Sequence, residues 1–160
     1  MTMTQERDIE FNKYIKDLFH NDNWQERAEA ARNLGLMEDG RATNMLCRAL
    51  RTEEDHQVIN RIIQALGRIK DAKATMRIIE KLEEKEEHLD KYRIMYIIES
   101  LMNIKDKRAL VYIGPFLKSE DEEIKETAEK AFDVIEPNWR KIIEDAKNER
   151  SIQEIFKIKL

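Results

Sequence analysis

Residues that interrupt helices are scarce in this sequence. Only four of the 160 residues are glycine and two are proline, too few for the tight turns of a hairpin-rich β fold. The single cysteine, Cys47, excludes an internal disulfide and a cysteine-based zinc site, and it suits a reducing compartment, so a cytoplasmic location is expected. No apolar run approaches the ~20 residues of a membrane span. Residues 1–10, MTMTQERDIE, lack the apolar stretch of a signal peptide, and no membrane partner is expected. Aromatic residues are only 7% of the chain, a thin supply of stacking surfaces for nucleic-acid bases. Neither sign of charge dominates: 29 cations stand against 33 anions, a net charge of −4, which argues against a dedicated nucleic-acid binder.

What the chain does contain is a repeat. Leu34–Ala42 reads LGLMEDGRA, Leu66–Ala74 reads LGRIKDAKA and Leu101–Ala109 reads LMNIKDKRA, with a degenerate copy, FDVIEPNWR, from Phe132. The leading residues are 32, 35 and 31 positions apart. Each copy has an apolar residue three places on and an aspartate five places on, replaced by Pro137 in the fourth. Arg41, Lys73 and Arg108 stand at the seventh place of the first three, and an alanine at the eighth. Upstream, Ala30, Ala31 and Leu34 match Ile62, Ile63 and Leu66, then Ile97, Ile98 and Leu101. Downstream, Ala42, Leu46 and Leu50 match Ala74, Ile78 and Leu82, then Ala109, Ile113 and Leu117. A step of three or four on both sides of a short turn predicts paired amphipathic helices.

First helices are expected near residues 23–37, 54–69, 89–104 and 121–135, and second helices near 41–51, 73–85, 108–118 and 138–147. Asp39, Asp71 and Asp106 are placed to cap the second helices. Ser119 with Glu122, and less well Thr52 with Asp55, read as capping boxes for first helices. Gly114 and Pro115 should break the third second-helix. Phe11, Ile15, Leu18 and Phe19 predict an extra helix over residues 4–20, and Ile152, Ile155, Phe156 and Ile158 a short one over 150–158. Neither flank repeats, as befits caps on a stack of repeats. The whole is read as one domain, residues 1–160, with repeats at about 23–53, 54–88, 89–119 and 120–147.

The turn L-G-x-I-x-D-x-[RK]-A resembles the HEAT repeat, in the short form of the phycocyanobilin-lyase (PBS lyase) type, over about residues 22–137. The resemblance implies an all-α fold, a right-handed α-α superhelix of the HEAT/armadillo-like solenoid class. It would have about four helix-pair repeats plus capping helices, with the second helices lining the concave face. The family often carries an arginine seven residues before the leucine; Arg27 and Lys125 keep a cation there, whereas Ile59 and Ile94 do not.

Most chemical motifs dissolve on inspection. Gly35 to Ala42 nearly spells a phosphate-binding loop, but it has Arg41 for the lysine and Ala42 for the metal-binding hydroxyl. His20, His56 and His88 fall about a repeat apart, too far to converge on one metal ion. Cys47 has no sequence neighbour that would activate a thiol. No catalytic, metal or cofactor site is nominated, and an enzyme is not expected. One asymmetry survives. Residues 40–51, 72–85 and 107–118 together hold ten cations and three anions, leaving −11 on the rest of the chain. Their exposed positions, Arg41, Met45 and Arg48, then Lys73, Met76 and Arg77, then Arg108 and Tyr112, mix cations with adaptable apolar side chains. Such a surface suits a protein partner or an acidic peptide segment. The expectation is a non-enzymatic scaffold or assembly factor. The alternatives are a nucleic-acid module resembling HEAT-like alkylpurine DNA glycosylases, or an accessory subunit of a lyase that attaches a cofactor or chromophore.

Overall fold

The computed structural model describes residues 1–84 and 88–146 together with Glu154 and Phe156. Among these the chain forms α-helices and 3₁₀ turns and no strand, an all-α helical-repeat fold of the solenoid class. It packs as two units, Met1–Ala74 and Thr75–Leu160.

The first unit holds α1 (Met3–His20), α2 (Trp24–Met37), α3 (Thr43–Thr52) and α4 (His56–Ile69), with 3₁₀ turns at Gly40–Ala42 and Ala72–Ala74. Its densest packing joins α2 to α4, the first helices of successive repeats. Ala30, Ala31 and Leu34 on α2 are fully buried, as are Ile62, Ala65 and Leu66 on α4. Small residues let the two backbones come close. A Cβ added at Gly35 would lie 2.7 Å from the Cα of Ala65. Gly35 is therefore a packing residue inside α2, not part of a phosphate-binding loop. On α3, Leu46, Ala49 and Leu50 complete the buried set, and α1 contributes Phe11 and Leu18. Each large apolar side chain so buried is worth roughly 1.5–3 kcal/mol relative to exposure.

The second unit holds α5 (Thr75–Ile79), α6 (Lys91–Ile104), α7 (Leu110–Ile113), α8 (Glu122–Ile135) and α9 (Trp139–Asp145). Here α6 packs on α8, burying Ile97, Ile98 and Leu101, and Ala128, Ala131 and Phe132. The Phe132 ring lies 5.3 Å from Trp139 and meets Phe156 edge-on at 5.1 Å. The short C-terminal helix expected over 150–158 lies outside the described residues apart from Glu154 and Phe156, both helical. Lys85, Glu86, Glu87 and Lys147 also fall outside them. The second helices of this unit are discontinuous. At Gly114–Lys118, Pro115 turns α7 into a 3₁₀ segment, as its missing N–H requires. α5 likewise passes into 3₁₀ at Glu80–Glu83, where the sequence carries no such signal.

The turn within each repeat has one construction. Glu38, Lys70 and Lys105 end α2, α4 and α6 in the left-handed region, with φ of 51°, 63° and 61°. Their N–H groups donate to Gly35, Leu66 and Leu101 carbonyls at 3.1 Å. Asp39, Asp71 and Asp106 follow, and their carboxylates accept from the N–H of Arg41, Lys73 and Arg108 at 3.0 Å. The fourth copy departs because the residue before a proline is pushed out of helical space: Glu136, before Pro137, has φ −140° and ψ 82°. The caps of the first helices need correction. Asp121, not Ser119, caps α8 by accepting from the N–H of Glu123 and Ile124, while the Ser119 hydroxyl accepts from the N–H of Asp121. Asp55, not Thr52, caps α4 through Gln57 and Val58. A carboxylate at a helix N-terminus is the stronger acceptor and also meets the positive end of the dipole.

Replacing Gly35 with alanine tests the α2–α4 contact. Alanine favours the helix by about 1 kcal/mol, but overpacking against a backbone atom costs typically 1–3 kcal/mol. A net loss of up to about 2 kcal/mol is expected in urea unfolding. Gly40→Ala meets nothing within 4 Å of the added carbon and should stay within about 0.5 kcal/mol of the parent.

Candidate functional site

The eight residues singled out by sequence divide equally between the units: Arg41, Met45, Arg48 and Lys73 in the first, Met76, Arg77, Arg108 and Tyr112 in the second. They differ in what holds them. The exposed Arg41 donates from Nε and Nη2 to both oxygens of Asp39, at 2.7–3.1 Å, and from Nη2 to Asp8 at 3.0 Å. Its guanidinium also lies 4.5 Å from the centre of the Phe11 ring. Arg108 grips Asp106 in the same way, Nη2 to Oδ2 at 2.6 Å, and Arg77 donates to Glu80 at 2.6 Å. In the first and third copies the turn aspartate thus has two tasks. It caps the second helix and takes the cation two residues on.

Arg48 and Lys73 are different. Both are exposed, and neither side chain is paired among the described residues. Met45 is half-buried on α3 one turn before Arg48, Met76 is exposed on α5, and Tyr112 is half-buried on α7.

Clefts open in the first unit. One, of about 600 Å³, lies where the α1–α2 and α3–α4 turns meet, bordered by His20, Asp22, Arg27, Glu53 and Asp55. Arg27 occupies the family's arginine position, and its chemistry is spent. Nε and Nη2 donate to the two Glu53 oxygens at 2.9 and 3.1 Å, and Nη1 donates to the carbonyls of Asn21 and Asp22. Glu53 in turn accepts from the N–H groups of Glu54 and Asp55. With side chains only 19% and 9% exposed, this pair clamps two turns together and offers nothing to a ligand.

The second cleft, of about 390 Å³, runs between α1 and α3. Asn12, Ile15, Lys16, Phe19 and His20 line it from α1, and Met45 and Arg48 from α3. Its wall combines the half-buried apolar Ile15, Phe19 and Met45 with the exposed cations Lys16 and Arg48, and carries no carboxylate. Lys16, like Arg48, is exposed and carries no ion pair among the described residues. Sequence reasoning found Met45 and Arg48 but treated α1 only as a cap. The available signal was an excess: Phe11 and Leu18 fill one buried face of α1, which leaves Ile15 and Phe19 over.

His20, His56 and His88 are all exposed, and Cys47 is half-buried on α3. Among the described residues no three His, Cys, Asp or Glu side chains come together as a metal site, and no helix is long and apolar enough to cross a membrane. In the second unit Arg93 is an unanticipated buried cation, 2% exposed and 3.4 Å from Glu84. Burial pulls its pKa below the usual arginine value against the opposing pull of Glu84.

Paired helices joined by a recurrent capped turn define a helical-repeat protein. The family described as HEAT repeats matches residues 12–96, more than half of the chain, and the chain belongs to that family. The match begins inside α1, so the family pattern takes in a helix that the sequence reading set apart as a non-repeating flank. No curated protein matches the chain.

The turn carboxylates fix an acid response. Hydrogen bonds from Arg41 hold Asp39 below its ordinary range. Burial would raise Asp106, but hydrogen bonds, chiefly from Arg108, together outweigh it and the net shift is downward. A folded-state pKa below the unfolded value of about 3.9 stabilises the fold above that pH and ceases to as pH falls through the folded value. Stability should therefore hold from neutrality to about pH 5 and decline below about pH 4. Arg41→Gln releases Asp39 toward its ordinary value. The gap in urea midpoint between Arg41→Gln and the parent should be largest at neutral pH and narrow as the pH falls through the lowered value of Asp39.

Proposed function

We propose that the chain is a non-enzymatic, protein-binding scaffold or assembly factor, and that its second helices dock an acidic segment of a partner. HEAT repeats generally mediate protein interactions as scaffolds. The observation that carries the reading here is the difference among the cations. Arg41, Arg77 and Arg108 are engaged by carboxylates of their own chain, whereas Arg48, one turn after the adaptable Met45, and Lys73 stand exposed and unpaired among the described residues. An arginine without an internal partner is free to take a carboxylate in two parallel hydrogen bonds, and methionine accommodates varied apolar neighbours. The repeats are assigned to the PBS lyase type on the turn motif, and the protein to the cytoplasm on its cysteine usage.

The test compares capture from the native cells by the parent and by Arg48→Glu/Lys73→Glu. Both substitutions lie at exposed positions away from the core, so folding should change by no more than about 0.5 kcal/mol, checked by circular dichroism. A protein held by the parent and lost from the double variant is the expected result. Equal capture by both would remove the second helices as the docking surface, and retention of nucleic acid in place of protein would replace the reading altogether.

A further inference from the structure

We infer that the groove between α1 and α3 holds a two-turn amphipathic helix of a partner protein. Its carboxylates would meet Lys16 and Arg48, and its apolar face would meet Ile15, Phe19 and Met45. This rests on the scaffold reading and narrows it to one groove and one shape of ligand.

Three features of the groove select that ligand. The first is charge. The wall carries Lys16 and Arg48 and no carboxylate, in a unit where Arg27 and Arg41 each have an acidic partner of their own. An acidic ligand gains two attractions here without displacing an internal bond, and a basic one meets uncompensated like charge. The second is backbone chemistry. Both walls are α-helices, whose amide and carbonyl groups are bonded internally, and the described residues contain no strand edge on which an extended peptide could hydrogen-bond. The groove can hold a ligand only by side chains, which favours one whose own backbone is already satisfied, a helix in a groove. The third is size. From Asn12 to His20 the α1 wall takes eight helical steps, about 12 Å at 1.5 Å per step, or two helical turns. The volume of about 390 Å³ is toward the small end of binding clefts, room for a few apolar side chains rather than a folded domain. Ile15, Phe19 and Met45 are only half-covered by their own unit, leaving apolar surface for those side chains to bury.

The probe is a synthetic peptide of about three turns with leucines at i, i+3, i+4 and i+7 and glutamates on the flanks, titrated into the full-length, isotope-labelled chain and followed by amide chemical shifts. A scrambled peptide of the same composition and a lysine-for-glutamate counterpart are run beside it. The expected result is perturbation concentrated at residues 12–20 and 45–48. Affinity should fall about tenfold or more for Lys16→Glu/Arg48→Glu, as for loss of two charge pairs at a partly desolvated site, and the two control peptides should bind more weakly. Perturbations centred elsewhere, equal binding of either control, or undiminished affinity in the double variant would overturn the inference. Ile15→Ser/Lys16→Glu changes only α1, and it separates this failure from that of the scaffold reading. A partner whose capture needs Arg48 and Lys73 but survives the α1 changes leaves the scaffold and removes the groove. A partner indifferent to both pairs of changes removes both.

Discussion

The closest constraint in the first unit is the approach of α2 to α4. Gly35 faces Ala65 at a separation that leaves no room for a methyl group, so the two helices meet through backbone and small side chains, with Leu34 and Leu66 fully buried beside them in sequence. Interiors at this density respond to a single added carbon. A repeat fold depends on such contacts more than most, since each helix pair leaves one apolar face uncovered until its neighbour arrives.

The turns carry a second constraint, and it bears on function. The aspartate five residues after the leading leucine caps the second helix, which explains its recurrence at positions 39, 71 and 106. In the first and third copies it also takes the guanidinium two residues on. The cation at the seventh place is therefore a structural element at Arg41 and Arg108, part of the turn's own electrostatics. Charge counted along the sequence overstates what the surface can offer, because a cation already held by a neighbour is available only if that bond is given up. The uncompensated cations of the first unit's candidate surface are Lys16, Arg48 and Lys73, and of these only Arg48 and Lys73 were among the candidates from sequence.

The repeated pairs were readable from periodicity because the step of three or four is imposed by the same burial that the structure shows; α2, α4, α6 and α8 begin and end within two residues of the expected bounds. The break at Pro115 was readable too, since it follows from a missing donor. The first-helix caps were not, because Ser119 and Thr52 satisfy the same pattern as the true caps, and the choice turns on which side chain reaches the free N–H groups. The left-handed residues Glu38, Lys70 and Lys105 were invisible for a related reason: glycine is the usual marker of that conformation, and none occupies these positions. The α1–α3 groove needs residues 12–20 beside 45–48, a juxtaposition no local pattern encodes.

The clefts beside Arg27 and beside Arg48 show how the same residue types come to different ends. In the larger one Arg27 has each side-chain nitrogen bonded to Glu53 or to a backbone carbonyl, and removing either partner would strand a largely buried charge, which is why such pairs fix geometry and rarely bind. In the smaller one Lys16 and Arg48 remain hydrated, at the edge of apolar side chains that water covers poorly. A hydrated cation beside apolar surface contributes little to folding, yet it gains when a carboxylate and an apolar group arrive together and exclude water from both. The first arrangement spends its charge on the fold and the second leaves it exposed at a groove, although residue type alone would rank the two arginines equally.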